Sequence, residues 1–262
     1  MCSICGCNSS ALSTDQQALH PRAPLAQHSH APGINPLRML KIEQDLFAQN
    51  NAYAAANRQH LTAQGILSIN LLSSPGSGKT SLLCRSIEQL LAYTPVSVIE
   101  GDQQTSRDAD RIRASGANAV QINTGKGCHL DAHGVGHAIA ELQPPAASIL
   151  FIENVGNLVC PAAFDLGESY KVVILSVTEG EDKPLKYPDM FYAADLMLIN
   201  KIDLLPYVAF DCQQAINYAQ QINPRLQPLL VSATSGAGMP QWLDWLQTEL
   251  SQLAITETKT CA

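Results

Sequence analysis

The stretch that most constrains the fold is an apolar segment followed directly by a glycine-rich turn, which together read GILSINLLSSPGSGKTSLL over residues 65–83. The apolar part predicts a buried strand, and a helix is predicted to begin at Lys79. The turn from Gly76 to Thr80 fits the loop that binds phosphate between a parallel strand and a helix. We therefore expect an α/β protein with a mainly parallel sheet.

The residue types of this turn match the chemistry of a phosphate site. Its glycines allow backbone N–H groups to face a phosphate, and the helix N-terminus adds partial positive charge. Lys79 is expected to reach the terminal phosphates, and the Thr80 hydroxyl to ligate Mg²⁺. The full pattern begins with glycine, whereas Ser73 stands at that position, so the match is one residue short. The predicted phosphate-binding residues are Gly76, Ser77, Gly78, Lys79, Thr80 and Ser81.

Strands and helices are predicted to alternate along the rest of the chain, as in a parallel sheet covered by helices on both faces. The predicted strands are Ile66–Ser73, Val96–Glu100, Ala119–Ile122, Ser148–Glu153, Val172–Val177, Leu196–Asn200 and Pro228–Val231. The predicted helices are Lys79–Ala92, Ser106–Ala114, Leu130–Leu142, Tyr207–Ile222 and Met239–Leu253. Another helix is predicted from Pro36 to about Arg58, because Asn35 and Pro36 form a cap followed by proline in the first turn.

The string Asn200-Lys201-Ile202-Asp203 follows a predicted strand downstream of the phosphate loop. A carboxylate at Asp203 can accept both N1–H and the exocyclic N2–H of guanine, which adenine does not offer together. The string alone is a weak signal, but its position after a strand favours GTP over ATP. Ser232 and Ala233, after the last predicted strand, fit the short loop that supports the same base.

Two carboxylates, Asp102 and Glu153, are predicted at the C-terminal ends of strands, where sheets of this kind place ligands. Either can hold or orient Mg²⁺, directly or through water. The alternative is a pair of solvated acids at strand ends. We expect Lys79, Thr80, Asp102 and Glu153 to form the catalytic group.

The first 35 residues are predicted to be a flexible tail and linker, separate from a domain over residues 36–262. The tail begins MCSICGC, and its thiols at Cys2, Cys5 and Cys7 can fold around one metal ion. A fourth donor would come from elsewhere, such as the amine of the chain. The alternative is a cysteine-rich end that binds no metal. The linker histidines are too sparse to predict a metal-binding tract.

A second candidate metal site involves Cys128, His129 and Cys160. Thiolate and imidazole together suit Zn²⁺ or Ni²⁺. Neighbouring residues within a helix point about 100° apart. Cys128 and His129 would therefore bind one ion from the loop before the helix, or share it with a second copy of the chain. His133 and His137 follow on one helical face, where most histidines are not ligands.

Charge and hydropathy exclude several classes of function. The formal net charge of −7 argues against a nucleic-acid partner or an anionic membrane surface. No apolar run reaches transmembrane length, and no basic region followed by an apolar segment opens the sequence. We therefore expect a cytoplasmic chain, in which the eight cysteines are metal ligands or plain thiols rather than disulfides.

Seven motifs occur in a fixed order: MCSICGC, SSPGSGKT, EGDQQTSRDADRI, TGKGCHLDA, FIENVGNLVCPA, NKID and SATSG. In this order they resemble the hydrogenase nickel-incorporation GTPases, the HypB family, over essentially the whole chain except the linker. The resemblance implies a P-loop GTPase that helps to load nickel into the large subunit of nickel–iron hydrogenase. It also implies two metal sites. One is a tight nickel site at Cys2, Cys5 and Cys7, and the other is a weaker nickel or zinc site at Cys128, His129 and Cys160.

The resemblance further implies a homodimer that forms with GTP, and a zinc-bearing accessory protein as a partner. Because Cys128 and His129 are adjacent, we also expect metal to promote the dimer. The linker departs from members that carry a long histidine-rich tract, so a nickel-storage role is not expected. Where many GTPases have DxxG, this chain has Glu153-Asn-Val-Gly156 followed by Asn157 instead of a water-orienting glutamine. Hydrolysis is therefore expected to be slow.

Three other functions fit part of the pattern. A urease-type nickel GTPase shares the phosphate and base motifs, although the triple-cysteine start favours the hydrogenase branch. A small-molecule kinase on the same fold would transfer phosphate from GTP to an acceptor. A metal buffer with a vestigial nucleotide site would show no GTP turnover.

Overall fold

The structure is a computed structural model that describes residues 36–102, 107–125 and 127–260. The predicted metal motif at Cys2, Cys5 and Cys7 lies outside the described residues, together with the rest of the predicted tail and linker. The chain divides into two compact units, residues 1–46 and 47–262. Of the first unit, the structure describes only the beginning of one helix. The predicted boundary after residue 35 stays a prediction.

A single seven-stranded sheet forms the centre of the second unit. Its strands are β1 (Leu67–Ser73), β2 (Val96–Asp102), β3 (Asn118–Asn123), β4 (Ile149–Glu153), β5 (Tyr170–Ser176), β6 (Leu196–Asn200) and β7 (Gln227–Leu230). The spatial order is β3-β2-β4-β1-β5-β6-β7, and every pairing is parallel. All strands therefore end at one edge of the sheet. This arrangement confirms the predicted α/β class.

Eight α-helices and two short 3₁₀ segments accompany the sheet in the described parts of the chain. The helices are α1 (Pro36–Thr62), α2 (Lys79–Leu90), α3 (Arg107–Ala114), α4 (Ala132–Leu142), α5 (Lys183–Lys186), α6 (Pro188–Ala193), α7 (Cys212–Ile222) and α8 (Met239–Thr260). The 3₁₀ segments are Cys160–Ala163 and Ile202–Tyr207. None of the described helices combines the length and the apolar character needed to cross a bilayer.

Apolar side chains of the strands alternate between the two faces of the sheet, and both faces are covered. Leu67, Ile69 and Leu71 of β1 pack with α2 and with Trp242 of α8. Leu72 belongs to a cluster on β5 and β6 that α6 and α7 cover, and a third cluster lies beneath α4. Fully burying one such aliphatic side chain contributes roughly 1.5–3 kcal/mol, so this layered packing holds the strand ends in place.

Two predicted helix starts were wrong, and in both cases an aspartate cap decides the true start. The helix predicted from Tyr207 begins at Cys212, because Tyr207 ends a 3₁₀ segment and the Asp211 side chain accepts a hydrogen bond from Gln214 N at 2.9 Å. The helix predicted from Leu130 begins at Ala132, where Asp131 accepts from Gly134 N at 2.7 Å. Residues 128–130 therefore lie in a loop.

Other helices end at residues different from those predicted. Helix α1 continues four residues past Arg58 to Thr62, and α8 continues to Thr260 instead of ending at Leu253. Helices α5 and α6 were not predicted, because they have only four and six residues and show no apolar period.

Candidate nucleotide and metal sites

The glycine-rich loop joins β1 to α2 and is supported by the loop that follows β6. Gly78 caps α2 with φ of 91°, and a Cβ atom there would come within 2.7 Å of Asn200 Nδ2. Asn200 Nδ2 donates to Ser77 O at 3.0 Å, and Lys201 Nζ donates to Gly76 O at 2.7 Å. Glycine is therefore required at residue 78, and the two predicted nucleotide motifs are in direct contact.

Lys79, Thr80 and Glu153 meet at the N-terminus of α2. Thr80 Oγ1 donates to Glu153 Oε1 at 2.7 Å, and Lys79 Nζ lies 3.4 Å from the same oxygen. Lys79 Nζ also donates to the main-chain oxygen of Asn154. The lysine and the glutamate are both buried, so each charge compensates the other inside the protein. Ser81, the next residue of α2, is exposed and accepts a hydrogen bond from Arg111 at 3.0 Å.

These residues also fit a magnesium ion. Glu153 Oε2 is buried and has no hydrogen-bond partner within the described parts of the chain. A buried carboxylate oxygen without a donor is unusual, and Mg²⁺ prefers carboxylate and hydroxyl oxygens. Asp102 is half-buried at the end of β2, the strand that lies beside β4 in the sheet. The donor set of Thr80, Glu153 and Asp102 is therefore of the right chemistry for this ion.

Glu100 is a buried acid at the same edge that was not singled out from the sequence. It lies opposite Glu153 in the β2–β4 register and is 2% exposed. Burial, and after it the charge of Glu153, raises the pKa of Glu100 to about 8. The carboxyl group is thus protonated at neutral pH, which avoids two adjacent buried negative charges. The sequence signal that could have identified Glu100 is its position as an acid at the end of the apolar run VSVIE.

The two loops predicted to hold the base are joined to each other. Ser232 is buried, and its hydroxyl donates to Asp203 Oδ1 at 2.5 Å. Ser232 Oγ in turn accepts from Ser235 N at 3.0 Å. Ala233 lies half-buried beside it. The side chain of Asp203 is therefore held in one orientation at the edge of the sheet.

Cys128, His129 and Cys160 come together within one chain. Their ligand atoms all lie within 4.8 Å of one another, with Cys128 Sγ 2.8 Å from Cys160 Sγ and 3.6 Å from His129 Nδ1. Cys128 and His129 lie in the loop before α4, and Cys160 begins a 3₁₀ segment. The sequence left two arrangements open, in which the ion is bound from the loop before the helix or is shared with a second copy of the chain. The geometry supports the first, because Cys128 and His129 lie before α4, where the 100° separation of neighbours within a helix does not apply.

The imidazole of this group is held in a form that can bind metal. The ring of His129 stacks on Phe164 with a centroid distance of 3.8 Å. Burial lowers the pKa of His129, although the charge of Asp131 acts in the opposite direction. The ring is therefore neutral at neutral pH, and a neutral imidazole is the ligand form.

The two sulfur atoms lie closer than they would with metal between them. Two thiolates bound to one tetrahedral ion at bond lengths of about 2.3 Å stand about 3.8 Å apart. From 2.8 Å, the Cys128 and Cys160 side chains would have to separate by about 1 Å to admit a tetrahedral ion. Both are half-buried cysteines outside any disulfide, so no covalent bond opposes this separation.

Comparison with known proteins shows the family. The family model for the CobW/HypB/UreG nucleotide-binding domain matches residues 67–229. The hydrogenase maturation factor HypB of Azotobacter vinelandii is 63% identical over 221 residues, which is 84% of this chain and 73% of that protein. The chain belongs to the HypB family of hydrogenase maturation factors. The predicted family resemblance is confirmed.

Two solved HypB structures resemble this protein over most of its length. HypB from Archaeoglobus fulgidus has a TM-score of 0.72 and 40% identity, covering 78% of this chain and 99% of that one. HypB from Helicobacter pylori in complex with nickel has a TM-score of 0.73 and 37% identity, covering 78% of this chain and 96% of that one. The fold is therefore the P-loop GTPase fold of the HypB family.

One segment of the chain, residues 153–160, contacts both candidate sites. The main-chain oxygen of Asn154 accepts from Lys79 Nζ, while its Oδ1 accepts from Leu130 N at 3.2 Å. Asn157 Nδ2 donates to the main-chain oxygen of Cys128 at 3.3 Å. The segment begins at Glu153, beside the phosphate loop, and ends at Cys160, in the metal group. Neither asparagine was named as a site residue from the sequence.

Lys183 is another residue that sequence reasoning missed. Its Nζ donates to Ser74 Oγ of the phosphate loop at 3.1 Å and lies 3.1 Å from Glu179. Lys183 is the first residue of α5, a helix too short to be predicted from the periodicity of apolar residues. It adds positive charge close to the place where phosphate is expected.

Proposed function

We propose that this HypB family member is a GTP-hydrolysing nickel metallochaperone that delivers nickel to the large subunit of [NiFe]-hydrogenase. The observation that carries the proposal is the position of the segment from Glu153 to Cys160, which begins beside the phosphate loop and ends in the group of Cys128, His129 and Cys160. The nickel named in the Helicobacter pylori HypB structure supports the choice of metal. Guanine is favoured because the Asp203 carboxylate is fixed by Ser232 beside the phosphate loop.

In this proposal, GTP changes the contacts of Lys79. Its ammonium group leaves Glu153 and the main-chain oxygen of Asn154 for the terminal phosphates, which are stronger electrostatic partners. Thr80 and Glu153, with Asp102, would hold Mg²⁺, which would supply positive charge next to the phosphates during hydrolysis. The Glu153 oxygen that has no partner in the described structure is available for such a contact.

The same change reaches the metal group through Asn154. Its main-chain oxygen contacts Lys79 and its side chain holds Leu130 N, one residue after His129. When Lys79 shifts, Asn154 and the following segment take a second arrangement, and Cys160 moves relative to Cys128. Nickel is gripped with GTP bound and released after hydrolysis, as in other nucleotide switches that order a segment through phosphate contacts.

Hydrolysis is proposed to be slow. Asn157 stands where a water-orienting glutamine is found in many GTPases, and its amide group is engaged with the Cys128 carbonyl. A slow step suits a carrier, because the metal must stay bound until an acceptor is reached.

The remaining partners extend this scheme. We propose that Cys2, Cys5 and Cys7 capture nickel, and that a zinc-bearing accessory protein assists its transfer. The three ligands of the domain site also accept Zn²⁺ by their chemistry. They leave at least one coordination position open, and this position can take a ligand from a second copy of the chain. We therefore also propose that GTP and metal promote a homodimer of this chain.

Nickel transfer tests this function directly. The full-length chain, loaded with ⁶³Ni, is mixed with purified nickel-free hydrogenase large subunit and with GTP, a non-hydrolysable GTP analogue or GDP. Nickel on the separated large subunit is counted over time. GTP should accelerate transfer about tenfold over the analogue, within the 1–3 kcal/mol usual for coupled sites.

A Lys79→Ala variant serves as the control in the same assay. It should carry nickel as the parent does but show no acceleration by GTP, since it cannot bind the terminal phosphates. Equal transfer rates in the parent with GTP, analogue and GDP would contradict a GTP-driven delivery.

A further inference from the structure

A continuous row of polar side chains crosses the core of the protein, and most of it has no role in the function proposed above. We call this feature the polar row, and its members are Asn154, Asn70, Glu168 and Lys171. Asn70 lies in the middle of β1 and is fully buried, and Glu168 is 5% exposed. Burying an amide or a carboxylate is unfavourable unless it is hydrogen-bonded, so these side chains need the contacts that they make with one another.

The centre of the polar row is held by hydrogen bonds to both carboxylate oxygens of Glu168. Asn70 Nδ2 donates to Glu168 Oε1 at 3.1 Å, and Leu166 N donates to Glu168 Oε2 at 2.6 Å. A hydrogen bond in a buried setting is stronger than one in water. The Glu168 side chain is therefore fixed in one orientation beside β1.

One end of the polar row reaches the segment that carries Cys160. Lys171 lies on β5, and its Nζ is 3.6 Å from Glu168 Oε1. The same Nζ donates to the main-chain oxygen of Ala162 at 3.3 Å. Ala162 belongs to the 3₁₀ segment that begins at Cys160, so the lysine ties this segment to β5. The Lys171 side chain is only 15% exposed, so water competes little for these contacts.

The other end of the polar row reaches the phosphate loop. Asn154 Nδ2 donates to Asn70 Oδ1 at 3.3 Å, and the main-chain oxygen of Asn154 accepts from Lys79 Nζ. Asn70 thus donates toward Glu168 and accepts from Asn154, a combination that a carboxylate or a hydrocarbon side chain does not offer. The polar row joins the two sites through the sheet, whereas residues 153–160 join them along a loop.

We propose that Lys171 and Glu168 are positioning residues for the Cys160 thiolate, and that Asn70 links their position to Asn154 beside the phosphate loop. Cys160 opens a segment of only four residues, so the contact that fixes its third residue also fixes the direction of the thiol. Contacts outside the ligands themselves commonly change metal affinity by about 10- to 100-fold. The link to the nucleotide rests on the proposed function, whereas the positioning role requires only that the domain site binds metal.

Absorption spectroscopy with Co²⁺ alone tests the positioning role without nucleotide. The three tail cysteines are replaced by alanine in every protein, so that only the domain site is measured. Lys171→Met keeps the length of the side chain but removes its donors, so it should weaken Co²⁺ binding about tenfold and shift the thiolate charge-transfer and ligand-field bands. Lys171→Arg keeps the charge and the donors and should restore both. Lys186→Met, at an exposed lysine paired with Asp182, should behave as the parent does.

Thermal unfolding, recorded for every variant, separates positioning from a purely structural role. If Lys171→Met lowers the unfolding temperature but keeps the parent's Co²⁺ affinity and bands, the proposal is overturned. Lys171→Gln, which keeps one donor on a shorter side chain, takes its place if the methionine variant does not fold. The glutamine variant should also show weaker binding and shifted bands, and the parent's affinity and bands in it would equally overturn the proposal.

Asn70→Leu tests the link to the phosphate loop, because leucine branches as asparagine does but neither donates nor accepts. The ratio of Ni²⁺ affinities with a non-hydrolysable GTP analogue and with GDP should fall at least about twofold from the parent's ratio. Asn70→Ser, too short to contact both neighbours, should give the same fall if the leucine variant does not fold. Asn217→Leu, at an exposed asparagine on α7, should keep the parent's ratio.

The two arms fail in different ways. An unchanged ratio in Asn70→Leu, or in Asn70→Ser, would overturn the link through the polar row while nucleotide coupling itself stands. Equal Ni²⁺ affinities of the parent in the two nucleotide states would instead contradict the proposed function. The Co²⁺ measurements on the Lys171 variants decide the positioning role in either case, because they contain no nucleotide.

Discussion

An Asp203→Asn variant is expected to bind GTP about 5- to 150-fold more weakly than the parent and to bind xanthosine triphosphate better. The loss corresponds to about 1–3 kcal/mol, the cost of a donor left unpaired in a buried site. Guanine offers two N–H donors to a carboxylate, whereas xanthine has a carbonyl in place of the amine and so pairs with an amide N–H. Competition binding with GTP, xanthosine triphosphate and ATP measures all three affinities.

The fold should survive this substitution. Ser232 Oγ bonds to Asp203 Oδ1, and an asparagine side chain keeps an acceptor oxygen there. Asp244→Asn, an exposed change on α8, is the matched control and should leave all nucleotide affinities unchanged. A parent protein that binds ATP as tightly as GTP would show that Asp203 does not select guanine.

A Cys160→Ser variant is expected to lose at least about 100-fold in nickel affinity at the domain site. Thiolate is the soft ligand of this group, and removal of one of three ligands should cost more than the 10- to 100-fold seen when an outer contact is lost. Cys2, Cys5 and Cys7 are replaced by alanine in parent and variant alike, so that only the domain site is measured. Competition with a coloured nickel chelator gives the affinities.

Cys212→Ser is the matched control for this experiment. Cys212 is a free, half-buried cysteine at the beginning of α7 and is not part of the metal group. Its replacement should leave the nickel affinity unchanged. If Cys160→Ser also bound nickel as tightly as its parent, the assignment of Cys160 as a ligand would be wrong.

The fold and the nucleotide motifs could be predicted from the sequence because their signals are local. The phosphate loop needs glycine at residue 78, where a side chain would collide with Asn200, so the residue type indicates the backbone geometry. Buried parallel strands give near-continuous apolar runs, which set the strands to within about two residues. The ends of helices depended on single caps such as Asp131 and Asp211, and they were predicted less accurately.

The short spacing from Glu153 to Cys160 predicts that one loop joins the two sites, but the contacts that connect them could not be predicted, because they join distant residues. The main-chain oxygen of Asn154 contacts Lys79, and its side-chain amide oxygen contacts Leu130 N. No sequence pattern around an asparagine predicts such contacts. The raised pKa of Glu100 arises from its burial and from its place opposite Glu153 in neighbouring strands. By contrast, a group of Cys128, His129 and Cys160 was predicted from the sequence, and their ligand atoms lie within 4.8 Å of one another.

The central claim is that nucleotide state changes the metal site through the segment from Glu153 to Cys160. It is tested most directly by the nickel affinity of the domain site, measured on the chain without tail cysteines, with a non-hydrolysable GTP analogue and with GDP. We predict tighter binding with the analogue by at least about fivefold, and an equal effect of nickel on the affinity for the analogue relative to GDP. Equal nickel affinities in the two nucleotide states would contradict the account.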